Sequence, residues 1–222
     1  MKNIKNKQKI FTKKEILPIC IIIFSAFVGF ALYPQLPHEV PVHWGPQGVV
    51  DAWFSKNLAV IFFPVLILLI YLMLTFIFLF DPLKKNYFEF SEAFFWFRTI
   101  MVLFLSFIYL FSLTAAIKGE LDIIYFIIPA FSLFLIYLGL FLPSVKRNYF
   151  IGIRTPWTLH SEKVWDKTHY FSGKIFIGAG ILSFFSILFS EYAFYIFLFI
   201  ILGLVFIPSV YSYYLFLGEK KK

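Results

Sequence analysis

The chain has 222 residues, of which 61% are hydrophobic and 14% are charged, and its formal net charge is +8. Soluble globular domains carry about 25% charged residues, and a soluble domain of this length would need a polar shell around its apolar core. The composition therefore excludes an ordinary soluble protein. The single cysteine, Cys20, excludes an internal disulfide and a metal site built from several cysteines, and we expect its thiol to face neighbouring helices.

Six apolar stretches are long enough to cross a membrane as helices, because a spanning helix needs about 20 mostly apolar residues. They cover residues 16–33, 57–80, 94–117, 121–142, 171–190 and 192–217. The charged residues nearest to them, such as Arg98 and Lys174, fall toward their ends, where we expect the charges to reach water. The first stretch could also be a secretory signal, but it is longer than a signal core and is one of several, so we interpret it as a retained span.

The distribution of Lys and Arg predicts which side of the membrane each loop faces. With the N-terminus in the cytoplasm, eighteen of the twenty basic residues lie in cytoplasmic segments, and only Lys56 and Lys118 lie outside. The sequence thus predicts an all-α membrane protein with six transmembrane helices and with both the N- and the C-terminus in the cytoplasm. We attribute the net positive charge to attraction toward anionic lipid rather than to direct binding of nucleic acid.

The outer loop, residues 34–56, has the pattern of a short β-hairpin. Gly45-Pro46-Gln47-Gly48 suits a tight turn, and apolar residues flank it on both sides. Ser55 is placed to cap the second spanning helix.

Polar and aromatic side chains of the outer loop are candidates for partner binding, namely His43, Trp44 and Asp51. Two other interpretations of this loop are open: its polar residues are turn and membrane-interface residues, or they form a metal site, although the spacing of the candidate ligands matches no familiar pattern. Those candidate ligands are His38, Glu39, His43 and Asp51.

The inner loop, residues 144–172, contains two helix starts. Thr155-Pro156 offers a capping side chain followed by proline at the first helical position. Ser161-Glu162 places an acidic residue in a first turn, which suits the helix dipole. The pattern predicts an amphipathic helix at the inner interface that continues into the fifth span.

Two interpretations of the polar and aromatic side chains in this inner loop are open, membrane anchoring and contact with a cytoplasmic partner. The residues concerned are Arg154, Thr155, Pro156, Trp157, Trp165, Lys167, Thr168 and His169. The sequence shows no arrangement of nucleophile, base and orienting group, so we expect no catalytic residues, no metal, no cofactor and no enzyme activity. In the fifth span, Ala179, Ser183, Ser186 and Ser190 form a stripe of small residues that predicts close helix packing.

Both loops carry motifs with a family likeness. The inner-loop motif comprises Asn148-Tyr149-Phe150-Ile151-Gly152-Ile153-Arg154-Thr155-Pro156-Trp157-Thr158, Val164-Trp165, Lys167-Thr168-His169 and Gly173-Lys174. It resembles the SdpI family of bacterial membrane immunity proteins, from which His160 departs because a small or polar residue is expected there. The outer-loop motif comprises Leu36-Pro37, Val40-Pro41-Val42-His43-Trp44, Gly48, Asp51 and Ser55-Lys56. It resembles the N-terminal membrane domain, of uncharacterised function, that commonly precedes the SdpI region.

This resemblance implies a domain order and a function. A basic cytoplasmic N-terminus (1–15) is followed by the N-terminal membrane domain (16–80, outer loop 34–56) and by the SdpI-like region (94–217, inner loop 144–172). The resemblance implies a multi-pass protein of the bacterial cytoplasmic membrane that protects its cell against a secreted hydrophobic peptide toxin. It also implies a role in signal transduction, in which the protein holds a cytoplasmic transcriptional repressor at the membrane.

The sequence leaves three other classes of function open. A small-molecule or ion transporter is the main alternative, although transporters usually place ionisable residues or broken helices near the midplane of the membrane. An intramembrane hydrolase would need a paired-Asp, His-Glu or Ser-His signature within the spans, which the sequence lacks. A structural protein anchored by its loops is the third alternative.

Overall fold

The computed structural model describes residues 13–119 and 124–220 of the chain. In chain order its elements are α1 (Ile16–Leu32), β1 (Glu39–Trp44), β2 (Val50–Ser55), α2 (Lys56–Phe76), α3 (Ser91–Lys118), α4 (Ile124–Phe141), α5 (Pro156–His160), α6 (Glu162–Phe185) and α7 (Ala193–Lys220). Within this part of the chain, all the helices except α5 are long and apolar enough to cross a membrane. The predicted helical membrane fold with six spans is confirmed, while the side on which the termini lie stays a prediction.

The hairpin predicted for the outer loop is also confirmed. Strands β1 and β2 pair antiparallel, and the turn between them is closed by a hydrogen bond from the Gly48 N–H to the Gly45 carbonyl at 2.9 Å. Gly48 has a φ of 75°, a backbone conformation that glycine adopts without a steric cost. The Ser55 hydroxyl accepts the Leu58 N–H at 3.3 Å and so caps α2 as expected.

The two helix starts predicted in the inner loop are confirmed. The Thr155 side chain accepts the Thr158 N–H at the start of α5, with Pro156 as the first helical residue. Ser161 caps α6 through the Val164 N–H at 3.3 Å. Helix α6 then continues without a break into the fifth span, and a 3-10 turn over Ser186–Tyr192 leads from it to α7.

Packing divides the chain into two units. The first takes in the described residues up to Thr75 together with Arg98–Ile127, and the second takes in Phe76–Phe97 together with the described residues from Ile128 onward. Helices α3 and α4 therefore each contribute residues to both units. The predicted domains, 16–80 and 94–217, rest on motifs rather than on packing, and they stay a prediction.

The first unit is built from α1, the hairpin, α2 and most of α3. Its core consists of buried apolar side chains, among them Val40, Val60, Tyr71, Val102 and Leu113. Cys20 is exposed on α1, so the expectation that its thiol faces neighbouring helices is wrong for this unit. In a chain that spans a membrane, an exposed apolar surface of this kind faces lipid, which accommodates a small thiol.

The second unit depends on a very close approach of α4 and α6. A Cβ atom at Gly180 would lie 2.6 Å from the Ser132 carbonyl oxygen, and one at Gly173 would lie 2.7 Å from the Gly139 carbonyl oxygen. Small residues at such contacts let two helix backbones touch. The stripe predicted for close packing is buried as expected at Ala179, Ser183 and Ser186, whereas the side chain of Ser190 lies outside the described part of the structure.

Candidate functional site

The inner loop is organised around the carboxylate of Asp81. This residue belongs to the second unit and lies in the segment between α2 and α3. This side chain is 2% exposed. It accepts the Leu83 N–H at 2.7 Å and the Tyr149 N–H at 2.8 Å, and the Tyr87 hydroxyl donates to it at 3.2 Å. Burial and the neighbouring Asp81 carboxylate raise the pKa of the Tyr87 phenol, which therefore stays neutral and remains a donor. The hydrogen bond from the Tyr149 N–H to Asp81 therefore joins the segment between α2 and α3 to the inner loop.

Asn148 shapes the inner loop from within. Its side chain is fully buried, its Oδ1 accepts the N–H groups of Phe150 and Ile151 at 2.9 and 2.6 Å, and its Nδ2 donates to the Lys146 carbonyl at 2.8 Å. These bonds satisfy backbone groups that have no partner in regular secondary structure. The hydrogen bonds of the buried Asn148 side chain therefore fix the conformation of the loop between α4 and α5.

Trp165 and His169 lie one turn apart on α6 and stack with ring centroids 4.1 Å apart. The indole N–H of Trp165 donates to the Val145 carbonyl at 2.7 Å. His169 Nε2 accepts the Ile153 N–H at 3.0 Å, so Nδ1 carries the proton and donates to the Trp165 carbonyl at 2.9 Å. Because both ring nitrogens are used, His169 is a structural residue in the neutral form rather than a free base.

Gly152 lets the backbone of the loop approach this stacked pair. Its φ of 104° is rarely adopted by residues with a side chain, and a Cβ atom there would overlap His169 Nε2. Further along, Thr155 Oγ1 lies 3.0 Å from Ser212 Oγ, and Trp157 packs on Tyr213 with ring centroids 4.9 Å apart. The short helix α5 is therefore seated on α7.

The predicted inner-loop residues differ in how far the structure exposes them. Thr155, Trp165, Thr168 and His169 are buried within the second unit, whereas Trp157 is half-buried and Arg154, Pro156 and Lys167 are exposed. Arg154 donates to the Tyr149 carbonyl at 2.8 Å. Partner binding by all eight residues stays a prediction, and the exposed ones are those whose side chains a cytoplasmic protein could touch directly.

The outer hairpin carries an exposed polar pair. His43 Nδ1 lies 2.5 Å from Asp51 Oδ1, so two of the predicted outer-loop residues are brought together. The third, Trp44, packs instead against Phe111 of α3, with ring centroids 6.1 Å apart. Trp53 on the neighbouring strand is 51% exposed and is the more accessible indole.

A metal site in this loop would need further ligands beside that pair. Within the described residues, no group of three or more His, Cys, Asp or Glu side chains is arranged to hold a metal ion. His38 and Glu39, the other candidate ligands, are exposed outside the His43–Asp51 contact. The pair of His43 and Asp51 is an exposed polar feature of the hairpin surface.

A buried ionic cluster in the first unit was not anticipated from the sequence. Arg98 Nη2 donates to Glu15 Oε1 at 2.8 Å, and each residue is 4% exposed. The Tyr71 hydroxyl donates to Glu15 Oε2 at 2.5 Å, and Arg98 Nη1 donates to the Thr75 hydroxyl at 2.7 Å. The expectation that the Arg98 charge reaches water is therefore wrong, because a carboxylate at the start of α1 neutralises it inside the unit.

Comparison with known proteins gives matches to both halves of the chain. Residues 144–212 match the SdpI/YfhL protein family, and residues 20–68 match a domain of unknown function (DUF1648). The chain is 30% identical over 209 residues to the immunity protein SdpI of Bacillus subtilis (strain 168), an alignment that covers 91% of this chain and 95% of that protein. No solved structure matches the chain.

Proposed function

This multi-pass protein of the cell membrane belongs to the SdpI/YfhL family, and we propose that it is an immunity protein that protects its cell against a secreted hydrophobic peptide toxin. The observation that supports the proposal is the similarity to the immunity protein of Bacillus subtilis, which extends over nearly the whole of both chains. An alignment that covers 91% of this chain includes both the outer hairpin and the inner loop.

The outer hairpin is the surface that we propose for contact with the toxin. Its outward face combines the His43–Asp51 pair with the exposed indole of Trp53. Aromatic side chains such as Trp53 are favoured at the level of the lipid headgroups. A hydrophobic peptide in the outer leaflet would therefore meet this face of the hairpin. Trp44 supports the hairpin from beneath through Phe111, and we assign it a structural part in the same site.

Substitution of the exposed indole tests this surface. We expect Trp53→Ala to lower, by about tenfold, the toxin concentration at which half of the cells survive. The reason is that tryptophan is enriched among the residues that dominate binding energy. The measurement is survival of a sensitive bacterium that expresses each variant, challenged with a panel of secreted hydrophobic peptide toxins. Membrane expression of each variant is measured alongside.

Gln47→Ala, an exposed change at the tip of the same hairpin, is the matched control and should leave survival unchanged. Equal survival with Trp53→Ala and the unaltered protein would remove the hairpin from the proposal. Absence of protection against every toxin, combined with ion or solute flux in proteoliposomes, would favour the transporter alternative instead.

We further propose that the inner loop makes the protein a sensor that holds a cytoplasmic transcriptional repressor at the membrane when toxin is bound. Such signalling requires two states for which toxin and repressor have different affinities, with a coupling free energy of about 1–3 kcal/mol in typical cases. The exposure of Arg154 beside the ordered loop supports this proposal, since its guanidinium is accessible to an acidic group of a partner.

Arg154→Gln is expected to reduce toxin-dependent recovery of a cytoplasmic repressor in pulldowns by about tenfold, because charge-assisted hydrogen bonds contribute about 1.5–3 kcal/mol. Glutamine retains an N–H donor while it removes the charge. Lys84→Gln removes an exposed charge elsewhere in the second unit and serves as the control. Undiminished recovery with Arg154→Gln would show that this residue is not the contact.

A further inference from the structure

A cavity of about 270 Å³ lies between the first turns of α6 and the last turns of α7, within the second unit. Lys163 and Lys167 line it from α6, and Tyr214, Gly218 and Glu219 line it from α7. The contacts proposed above for toxin and repressor rest on Trp53 and Arg154, neither of which lines the cavity. Its position at the ends of two spanning helices places it at the level of lipid headgroups, on the side that the basic residues predict to be cytoplasmic.

The charges around the cavity are arranged in two groups. Lys163 and Lys167 are four residues apart and lie on one face of α6, and neither forms an ion pair with any residue of the described chain. Glu219 belongs to the opposite wall. A lining with two lysines on one wall and one glutamate on the other complements a ligand that carries a phosphate and, at a short distance from it, a positive charge.

An apolar surface leads away from the cavity along α7. Ile207, Val210 and Tyr214 are spaced three and four residues apart, so they share one helix face. They are 46%, 52% and 67% exposed, respectively. A lipid whose headgroup occupies the cavity could lay an acyl chain along this face, whereas a soluble phosphate compound would leave it uncovered.

We propose that this cavity binds the headgroup of a phospholipid of the phosphatidylethanolamine class. Lys163 and Lys167 bind its phosphodiester, and Glu219 accepts a hydrogen bond from its primary ammonium group. The bound headgroup joins the start of α6 to the end of α7, beside the short helix α5 that is seated on α7. Lys167, which is also a predicted partner-binding residue, contributes to the lipid site through its side chain.

The test is lipid binding to the purified full-length protein, measured by native mass spectrometry after addition of phosphatidylethanolamine, phosphatidylglycerol or phosphatidylcholine. We expect phosphatidylethanolamine to be retained most. The double variant Lys163→Gln/Lys167→Gln should retain roughly tenfold less of it, because both phosphate contacts are lost. The double variant Lys84→Gln/Lys85→Gln removes the same net charge from exposed positions in the same unit and should retain as much as the unaltered protein.

Two single variants refine the assignment. Gly218→Leu should lower retention without loss of charge, because a Cβ atom there meets no atom within 4 Å and the side chain can enter open space. Glu219→Gln should abolish the preference for phosphatidylethanolamine over phosphatidylglycerol. Equal loss in the Lys84/Lys85 control, no preference among the three lipids, or tighter binding of free phosphoethanolamine than of the lipid would each overturn the proposal.

Discussion

Replacement of Gly180 by leucine is expected to prevent α4 and α6 from packing and to remove most of the folded protein. A Cβ atom at this position would lie 2.6 Å from the Ser132 carbonyl oxygen and 3.0 Å from the Ile136 amide nitrogen. Overpacking costs about 1–3 kcal/mol where side chains can rearrange. Backbone atoms can move only together with their helix, so we expect a loss of stability at or above the upper end of that range.

The measurement is the yield of monodisperse protein in size-exclusion chromatography in detergent, together with the midpoint temperature of unfolding. A midpoint shift of about 2–4 °C is expected for each kcal/mol of stability lost. Gly178→Leu provides the control on the same helix, because a Cβ atom there meets no atom within 4 Å. If both leucine variants behave alike, the close approach of α4 and α6 does not limit stability.

Replacement of Arg98 by methionine is expected to destabilise the first unit by about 3–5 kcal/mol, since it leaves the carboxylate of Glu15 buried without its cation. The Tyr71 hydroxyl can stabilise this carboxylate by one hydrogen bond, but it supplies no charge. Methionine retains most of the volume of the arginine stem, so the effect reports on charge rather than on packing. The loss of stability is measured from the midpoint temperature of unfolding, as for Gly180→Leu.

A second substitution separates charge from shape in this cluster. In the double variant Glu15→Gln/Arg98→Met neither member of the ion pair remains ionised, and we expect it to recover more than half of the stability lost by Arg98→Met alone. Lys13→Met, an exposed change two residues from Glu15, should have little effect. An additive loss in the double variant would mean that the two side chains do not stabilise each other.

The helices and the hairpin could be predicted because their signals are local. A spanning helix is recognisable from about 20 consecutive residues, and the turn of the hairpin is contained in Gly45–Gly48. The starts of α5 and α6 depend on Thr155, Pro156 and Ser161, each within one turn of the helix that it begins. Such features require no knowledge of the packed structure.

The ionic cluster and the contact of Asp81 with the inner loop could not be predicted, because the partners are distant in sequence. Glu15 and Arg98 are separated by 83 residues, and Asp81 and Tyr149 are separated by 68. Trp165 and His169 have the residue types of a binding surface, and only the position of Val145 and Ile153 reveals that they are buried. Gly173 and Gly180 likewise carry no local signal of their role, which depends on their contacts with the backbone of α4.

The distance in sequence between Glu15 and Arg98 also constrains how the protein is made. The ribosome adds about 5–20 residues per second, so α1 is synthesised roughly 4–17 seconds before the arginine that neutralises its acidic end. During that interval the carboxylate has no cation beside it, so we expect it to stay in water at the membrane surface. The carboxylate can therefore become buried beside Arg98 only after the third transmembrane segment is made, and in nascent chains that end before residue 98 we expect Glu15 to remain accessible to water.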